Sequence, residues 1–234
     1  MDPIGQAIFN FHFHNDPEIL KVDTNYTEDE EIDPATFFRT FQQMTSLEQA
    51  AIEMCRGRVL DVGAGAGCHA LELQCRQLEV VALEKSELAI KVMTDRGVVN
   101  PLHEDIFHYQ DETFDTILLL MNGIGLAGTL EGFGRLLEHL KGLLSIDGQI
   151  LFDSSDIAYL FEEEDGSMWV DLANDRYYGE MDYAVTYKET ITSSFPWLYL
   201  DRENLEKIAL EKGFSTEFPV EGEDNNFLAR LTRV

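Results

Sequence analysis

Basic side chains are scarce in this sequence. Seventeen lysines and arginines face 44 aspartates and glutamates, giving a formal net charge of −27 over 234 residues. A field of that sign repels polyphosphate backbones and offers few cations to displace their counterions, so nucleic acid is excluded as an expected partner. The acidity serves first as a solubilising surface and second as an attraction for cationic ligands. Cysteine is also thin. Cys55, Cys68 and Cys75 are odd in number and form no Cys-x-x-Cys pair. That argues against a disulfide framework and against zinc, and for small buried thiols in a reducing compartment. No long apolar run exists: the strongest, residues 117–121, is far too short to cross a bilayer. The first twenty residues lack the basic start and apolar stretch of a secretion signal. These absences predict a cytoplasmic protein, monomer or homodimer, with a small-molecule substrate and no membrane partner.

What is present is organised by period. Residues 1–34 are polar and read as irregular, with an acidic run at 28–31. Two helical stretches are expected next, at 35–44 and 45–57. The second opens on the capping box Thr45-x-x-Glu48, sets Leu47, Ala50, Ala51 and Met54 on one face, and stops at Gly57. From Arg58 onward short apolar strands alternate with amphipathic helices. Strands are predicted at 59–62, 79–83, 98–103, 114–121 and 149–153, the last after an Asp147-Gly148 turn. Helices are predicted at 67–76, 86–94 and 131–144, the third with Phe133, Leu136, Leu137, Leu140, Leu143 and Leu144 on one stripe. Such alternation predicts a parallel sheet with helices on both faces.

Residues 154–200 break that rhythm and are rich in aromatics, among them Tyr159, Phe161, Trp169, Tyr177, Tyr178, Tyr183, Tyr187, Phe195, Trp197 and Tyr199. A strand over 178–192, paired with 168–172, is expected there. Asp201 caps a last helix ending at Gly213, and 214–220 with 227–233 form a hairpin, so the final strand runs antiparallel. The chain divides into an N-terminal cap at 1–57 and a sheet domain at 58–234, with an insertion at about 154–200.

The strongest chemical signal is the run Val59-Leu60-Asp61-Val62-Gly63-Ala64-Gly65-Ala66-Gly67. Three alternating glycines between a strand and a helix allow a sharp turn and let a ligand lie on bare backbone, while the helix that follows offers unpaired N–H groups. The turn alone does not choose a ligand, and Gly65-x-Gly67-x-x-Ala70 also satisfies the dinucleotide fingerprint. Asp61 discriminates. A carboxylate beside the turn repels a pyrophosphate but suits a ligand carrying an ammonium and a sulfonium. Glu84, with Lys85 beside it, stands 21 residues beyond Gly63 at the end of the next strand. An acid there can accept from both hydroxyls of a ribose. After the third strand come Glu104-Asp105-Ile106. Asp105, or Glu104 if the register slips, can accept from an adenine amino group, and the Ile106 N–H and side chain can meet the ring.

These three elements, in this order and spacing, resemble the class I S-adenosylmethionine-dependent methyltransferases, over roughly residues 48–153. The stretch from Phe37-Phe38-Arg39 to Cys68-His69 is also similar to uncharacterised bacterial members of that family. The resemblance implies an α/β fold: a Rossmann-like, seven-stranded, mostly parallel sheet with an antiparallel last strand and helices on both faces. An N-terminal helical cap and an inserted β segment after strand 5 would close over the strand C-termini. It implies S-adenosyl-L-methionine as cofactor, with the methionine part on Asp61, Gly63, Ala64, Gly65 and Gly67, the ribose on Glu84, and adenine on Asp105 and Ile106. Asn122-Gly123-Ile124-Gly125 falls where the family's reacting centre lies, with Asn122 and Gly123 against the methionine part. This run departs from the Asn/Asp-Pro-Pro-aromatic motif of family members that methylate DNA bases or glutamine, and so argues against those substrates.

Weaker candidates surround this frame. Methyl transfer from a sulfonium is largely a matter of positioning, and a base is needed only where the nucleophile must lose a proton. His69, His103, His108, Asp153 and Asp156 lie near strand ends or loops; Asp153 and His69 are the candidates carried forward, both against a bland packing role. Arg39, among Phe37, Phe38 and Phe41, either clamps a carboxylate or pairs with a neighbouring acid. His12-x-His14 fits a surface coincidence or a small cap better than a metal site, and no metal set stands out. The expected function is methyl transfer to a small molecule. The alternatives are a cofactor-binding regulatory module without turnover, an aminopropyl transferase, and an NAD-dependent oxidoreductase.

Overall fold

An aspartate followed by proline starts the chain's first helix. In the computed structural model, which describes residues 1–28, 30–161, 176–192 and 194–234, Asp2 accepts the Gly5 N–H at 2.8 Å and Pro3 takes the first helical position of α1 (Pro3–His14). Strands β1 (Leu20–Thr24) and β2 (Glu30–Ile32) follow. The N-terminal stretch is therefore structured, against the expectation from its polarity, and Ala7 and Ile8 form its buried helical face. The helix expected at 35–44 is instead two 3-10 turns, Pro34–Phe38 and Phe41–Gln43. Asp33 and Thr40 each start a turn, and Arg39 between them is extended, so no helix propagates through it. Phe38 packs back on Phe11 of α1 with ring centroids 4.9 Å apart.

Helix α2 (Ser46–Met54) opens on the expected capping box: Thr45 accepts the Glu48 N–H, and Glu48 accepts the Thr45 N–H at 2.8 Å. The alternating region then runs β3 (Arg58–Val62), α3 (Cys68–Cys75), β4 (Glu79–Glu84), α4 (Glu87–Arg96), β5 (Pro101–His103), β6 (Phe114–Leu119), α5 (Leu130–Leu143) and β7 (Leu144–Ser155). Strand β7 starts five residues earlier than residue 149, where the sequence places it. Leu144 already pairs with Phe114, and a register shift before Gln149 absorbs the Asp147-Gly148 pair inside the strand. After it come β8 (Glu180–Tyr187), β9 (Thr190–Ile191), β10 (Phe195–Leu198), α6 (Arg202–Glu211), β11 (Phe214–Glu221) and β12 (Asn226–Arg233). The single strand expected at 178–192 is a hairpin, β8–β9, turning at Lys188 with φ 53°. Its expected partner at 168–172 lies outside the described residues.

The main sheet has the order β11-β12-β7-β6-β3-β4-β5. Strands β3 to β7 are parallel, and β12 runs antiparallel to both β7 and β11. The central strands are buried on both faces, which is why they read as continuous apolar runs. One face sets Leu60, Val62, Ile117 and Phe152 against α5 and α6; the other sets Val59, Leu118 and Leu151 against α2, α3 and α4. This is the Rossmann-like architecture with its antiparallel closing strand.

A second sheet, order β10-β8-β1-β2, joins strands from the N-terminal segment and from the insertion. Val22 of β1 stands opposite Val185 of β8. The two segments thus cap the main sheet together. Asp2 bonds Ser86, just after β4, at 2.5 Å. Gly125, after β6, lies so close under Trp197 that an added Cβ would come within 2.2 Å of its ring. Both attachments are at the C-terminal ends of parallel strands, where open α/β sheets bind ligands. Among the described residues no helix is long and apolar enough to cross a membrane.

Candidate active site

The glycine turn after β3 is built as its spacing suggests. Gly63, Gly65 and Gly67 have φ of 71°, 55° and 81°, a region that side chains rarely enter. The N–H groups of Gly63 and Ala64 both donate to the Leu83 carbonyl, at 2.9 and 3.1 Å, and tie the turn to β4. The glycines differ in what surrounds them. At Gly67 an added Cβ would lie 2.7 Å from Val98, so the residue is small for packing; at Gly63 it would meet nothing within 4 Å, so bare backbone faces open space.

Asp61 stands two residues before that turn's first glycine, 1% exposed, with its Oδ2 lacking a partner among the described residues. Burial raises its carboxyl to about 6; His69 opposes the rise and Glu84 adds to it. On the neighbouring strand, Asn122 follows β6 in the left-handed conformation with φ 54°, its Oδ1 also buried and unpartnered. Its N–H donates to Asp153 Oδ2 at 3.0 Å, and its side-chain amide donates to the Leu198 carbonyl at 3.4 Å. Gly123 N–H closes the tight turn onto the Leu120 carbonyl at 3.1 Å. Adjacent strands therefore deliver orphaned acceptors beside a bare turn. An ammonium group has the chemistry to supply the donors they lack.

Glu84 is held by backbone: Ser86 N–H donates to Oε1 and Gly65 N–H to Oε2, both at 2.9 Å. Burial lifts its carboxyl above the usual range. Each oxygen retains a lone pair for a further donor such as a ribose hydroxyl. Lys85, mostly exposed, pairs with Asp105 at 2.8 Å. Asp105 also accepts the Phe107 N–H; burial pushes its carboxyl up, but Lys85 and that N–H hold it below the ordinary value. Glu104 accepts the Asp105 N–H at 2.9 Å, and the Ile106 side chain is buried in the main core.

Arg39 is engaged by an acid. Its Nη2 donates to Glu48 Oε1 at 2.6 Å, and its Nε to the Thr36 carbonyl at 2.9 Å. The same Glu48 oxygen meets His69 Nε2 at 2.9 Å, and both residues are fully buried. Burial works against charge on His69, but Cys68, Glu48 and Asp61 outweigh it and hold the imidazole well above its usual value. Glu48 is the residue the sequence reading misses. Its place in the capping box accounts for one carboxylate oxygen, and only the fold brings Arg39 and His69 to the other. The remaining candidates are engaged elsewhere: His103 with the Lys85 carbonyl, Asp156 with the Tyr178 hydroxyl at 2.7 Å, and His12 with Asp95 at 2.7 Å across α1 and α4. A recess of about 460 Å³ lined by Arg56, Asp147 and Arg233 lies at the opposite end of the strands, away from the glycine turn.

Against known proteins, a family model described as a methyltransferase domain matches residues 60–152. A crystal structure of an S-adenosylmethionine-dependent methyltransferase from Bacteroides fragilis, in complex with S-adenosyl-L-homocysteine, is 43% identical. The match covers 100% of this chain and 95% of that one, with a TM-score of 0.93. DesVI from Streptomyces venezuelae (15% identity, 81% of this chain and 91% of that, TM-score 0.56) shares the fold. So does the CcbJ methyltransferase from Streptomyces caelestis (14%, 80% and 93%, 0.59). No curated protein matches the sequence.

Proposed function

This chain belongs to the S-adenosylmethionine-dependent methyltransferases, and from that premise we propose that its methyl acceptor is a small molecule held at the C-terminal ends of β3, β6 and β7. The observation that carries the cofactor assignment is a buried carboxylate oxygen on Asp61 without a donor among the described residues, two residues before the bare backbone of Gly63. In this assignment Asp61 and Asn122 accept from the cofactor's ammonium, and Gly63, Ala64, Gly65, Gly67 and Gly123 give it close backbone approach. Glu84 takes the ribose hydroxyls. Asp105, steadied by Lys85, takes the adenine amino group, and the Ile106 N–H meets the ring. Arg39 acts at one remove, holding Glu48 against His69.

The bound cofactor supplies a methyl group on a positively charged sulfur. The chain's own contribution is placement: the turn and its acids fix the donor end, while the cap sheet and the loop after β6 stand at the strand C-termini, where an acceptor enters. Small-molecule chemistry is supported by the net charge of −27, which disfavours nucleic acid, and by a cap drawn from both the N-terminal segment and the insertion. Three free cysteines support a reducing, cytoplasmic setting.

Calorimetric titration with S-adenosylmethionine, S-adenosylhomocysteine and NAD tests the assignment. The first two should bind and the third should not; NAD binding alone would make the protein an oxidoreductase. Tight cofactor binding with no acceptor consumed from a metabolite extract would point to a regulatory module. Preference for the decarboxylated cofactor would point to aminopropyl transfer.

A further inference from the structure

With Asp61 and Asn122 assigned to the cofactor, one more buried acceptor at the strand ends has no donor among the described residues. Asp153, near the end of β7, accepts the Asn122 N–H through Oδ2, and its Oδ1 is buried without a partner among the described residues. A buried carboxylate oxygen left in that state is costly until something donates to it. Asn122, after β6, bonds it directly, and the groups that act on it or feel it through space come from separate elements: Glu48 on α2, His69 on α3 and Tyr199 after β10. Glu48 and the Nε2 of His69 are committed to each other. On the cap side the Tyr199 hydroxyl bonds the Tyr183 hydroxyl, and the Tyr183 ring stacks on Trp197 with centroids 5.9 Å apart and planes 10° apart. Burial holds the Tyr183 phenol far above its usual value, so it stays neutral. One oxygen of the Asp153 carboxylate thus lacks a donor among the described residues, and the chain segment that carries Trp197 and Tyr199 bonds to its neighbours Asn122 and Ser154 through Leu198 and Leu200.

Resting on the methyl-transfer reading above, we propose that the acceptor is a small aliphatic amine whose nitrogen is seated on Asp153 Oδ1, with the rest of the molecule against Tyr199, Tyr183 and Trp197. A charged donor on a carboxylate is the stronger kind of hydrogen bond, and aromatic faces attract cations. A carboxylate or phosphate acceptor would meet Asp153 with Glu48 behind it, like charge on like. An alcohol would need a far stronger base than a carboxyl raised by burial only to about 6. The seated ammonium first gives one proton to the Asp153 carboxylate, and the neutral amine then attacks with its own lone pair, which is localised, unlike that of an amide or a nucleobase. Its nitrogen forms the bond to the methyl carbon as the carbon–sulfur bond breaks and that electron pair returns to sulfur. The proton taken up by Asp153 then passes to solvent, and the methylated amine leaves as its cation.

The test incubates the full chain with isotope-labelled S-adenosylmethionine and a panel of small aliphatic amines, with alcohols, thiols and carboxylates of matched size. The expected result is label on nitrogen. Asp153→Asn should lower kcat/KM for the amine by about 10- to 100-fold. A titration of the same variant should find cofactor affinity unchanged, which also shows it folded. Trp197→Leu should raise the KM of the amine more than it lowers kcat. Label on oxygen, sulfur or carbon overturns the proposal, and so does cofactor binding with no amine accepting label. Full amine turnover by Asp153→Asn, or an equal loss of its cofactor affinity, also overturns it. Absence of cofactor binding in the wild type would instead sink the methyl-transfer assignment itself.

Discussion

Replacing Asp61 by asparagine should make the ligand-free protein more stable and the cofactor complex weaker, two effects of opposite sign from one atom. The Asp61 carboxyl is raised from 3.8 to about 6 because burial strips its water, with His69 opposing and Glu84 adding. A folded state that keeps its proton to higher pH than the unfolded chain loses stability as pH rises through that window. The loss is complete above about pH 6 and amounts to about 3 kcal/mol at neutral pH. Asp61→Asn keeps the shape and can still accept from the Ala70 backbone. About 2 kcal/mol of the cost should therefore return, lifting Tm by roughly 4–8 °C. The variant cannot offer a charge to an ammonium, so S-adenosylmethionine should bind about 10- to 100-fold more weakly. Scanning calorimetry of both ligand-free proteins from about pH 4 to about pH 8, with titrations near neutrality, reads both effects. The stability gain should shrink to a small fraction at the acid end, where Asp61 is protonated in the folded state and about half protonated in the unfolded chain. A variant no more stable at neutral pH, or one that binds the cofactor as tightly as the parent, would refute the reasoning.

The glycine turn offers a paired comparison. Gly67→Ala must put a Cβ at 2.7 Å from Val98 with φ at 81°, and should cost about 2–4 kcal/mol in denaturant unfolding. Gly63→Ala meets open space and carries only backbone strain, about 1 kcal/mol, yet it should weaken the cofactor more than Gly67→Ala weakens it per unit of stability lost. Glu48→Ala removes a buried carboxylate shared by Arg39, His69 and the Thr45 N–H, and should cost about 3–5 kcal/mol near neutrality. Burial pushes the Glu48 carboxyl up, but His69, the Thr45 N–H and Arg39 hold it below 4.5, so its contribution is present above that pH and is lost as pH falls through the lower folded value. The deficit of the variant should shrink in acid; unfolding curves showing a pH-independent deficit would contradict the buried pair.

Periodicity and turn chemistry made the central sheet legible before any fold was known. Residues 59–62 and 114–119 are apolar on both faces because helices cover both, and the capping box at Thr45 and the caps at Ser86 and Asp201 are local hydrogen bonds that sequence neighbours complete. The acid–glycine signature at 61–67 was equally local, since strand, turn and helix are contiguous. Less local features were misread. Helix α1 was hidden by its polar neighbours, though Asp2-Pro3 announces it. The 35–44 stretch carries helical residues, but two competing caps cut it into single turns.

By itself, then, the sequence determined whatever nearest neighbours along the chain complete: strand and helix periods, caps, and a turn whose glycines and acid imply a cationic nucleoside ligand. Tertiary structure alone decided the pairing of β1 with β8 and the meeting of Arg39 and His69 on Glu48. It also left the inward oxygens of Asp61, Asn122 and Asp153 without donors. The reason is physical: a hydrogen bond within a turn is set by a few dihedral angles. One between residues more than a hundred positions apart, or a carboxylate kept dry and unpaired, depends on how every layer between them packs.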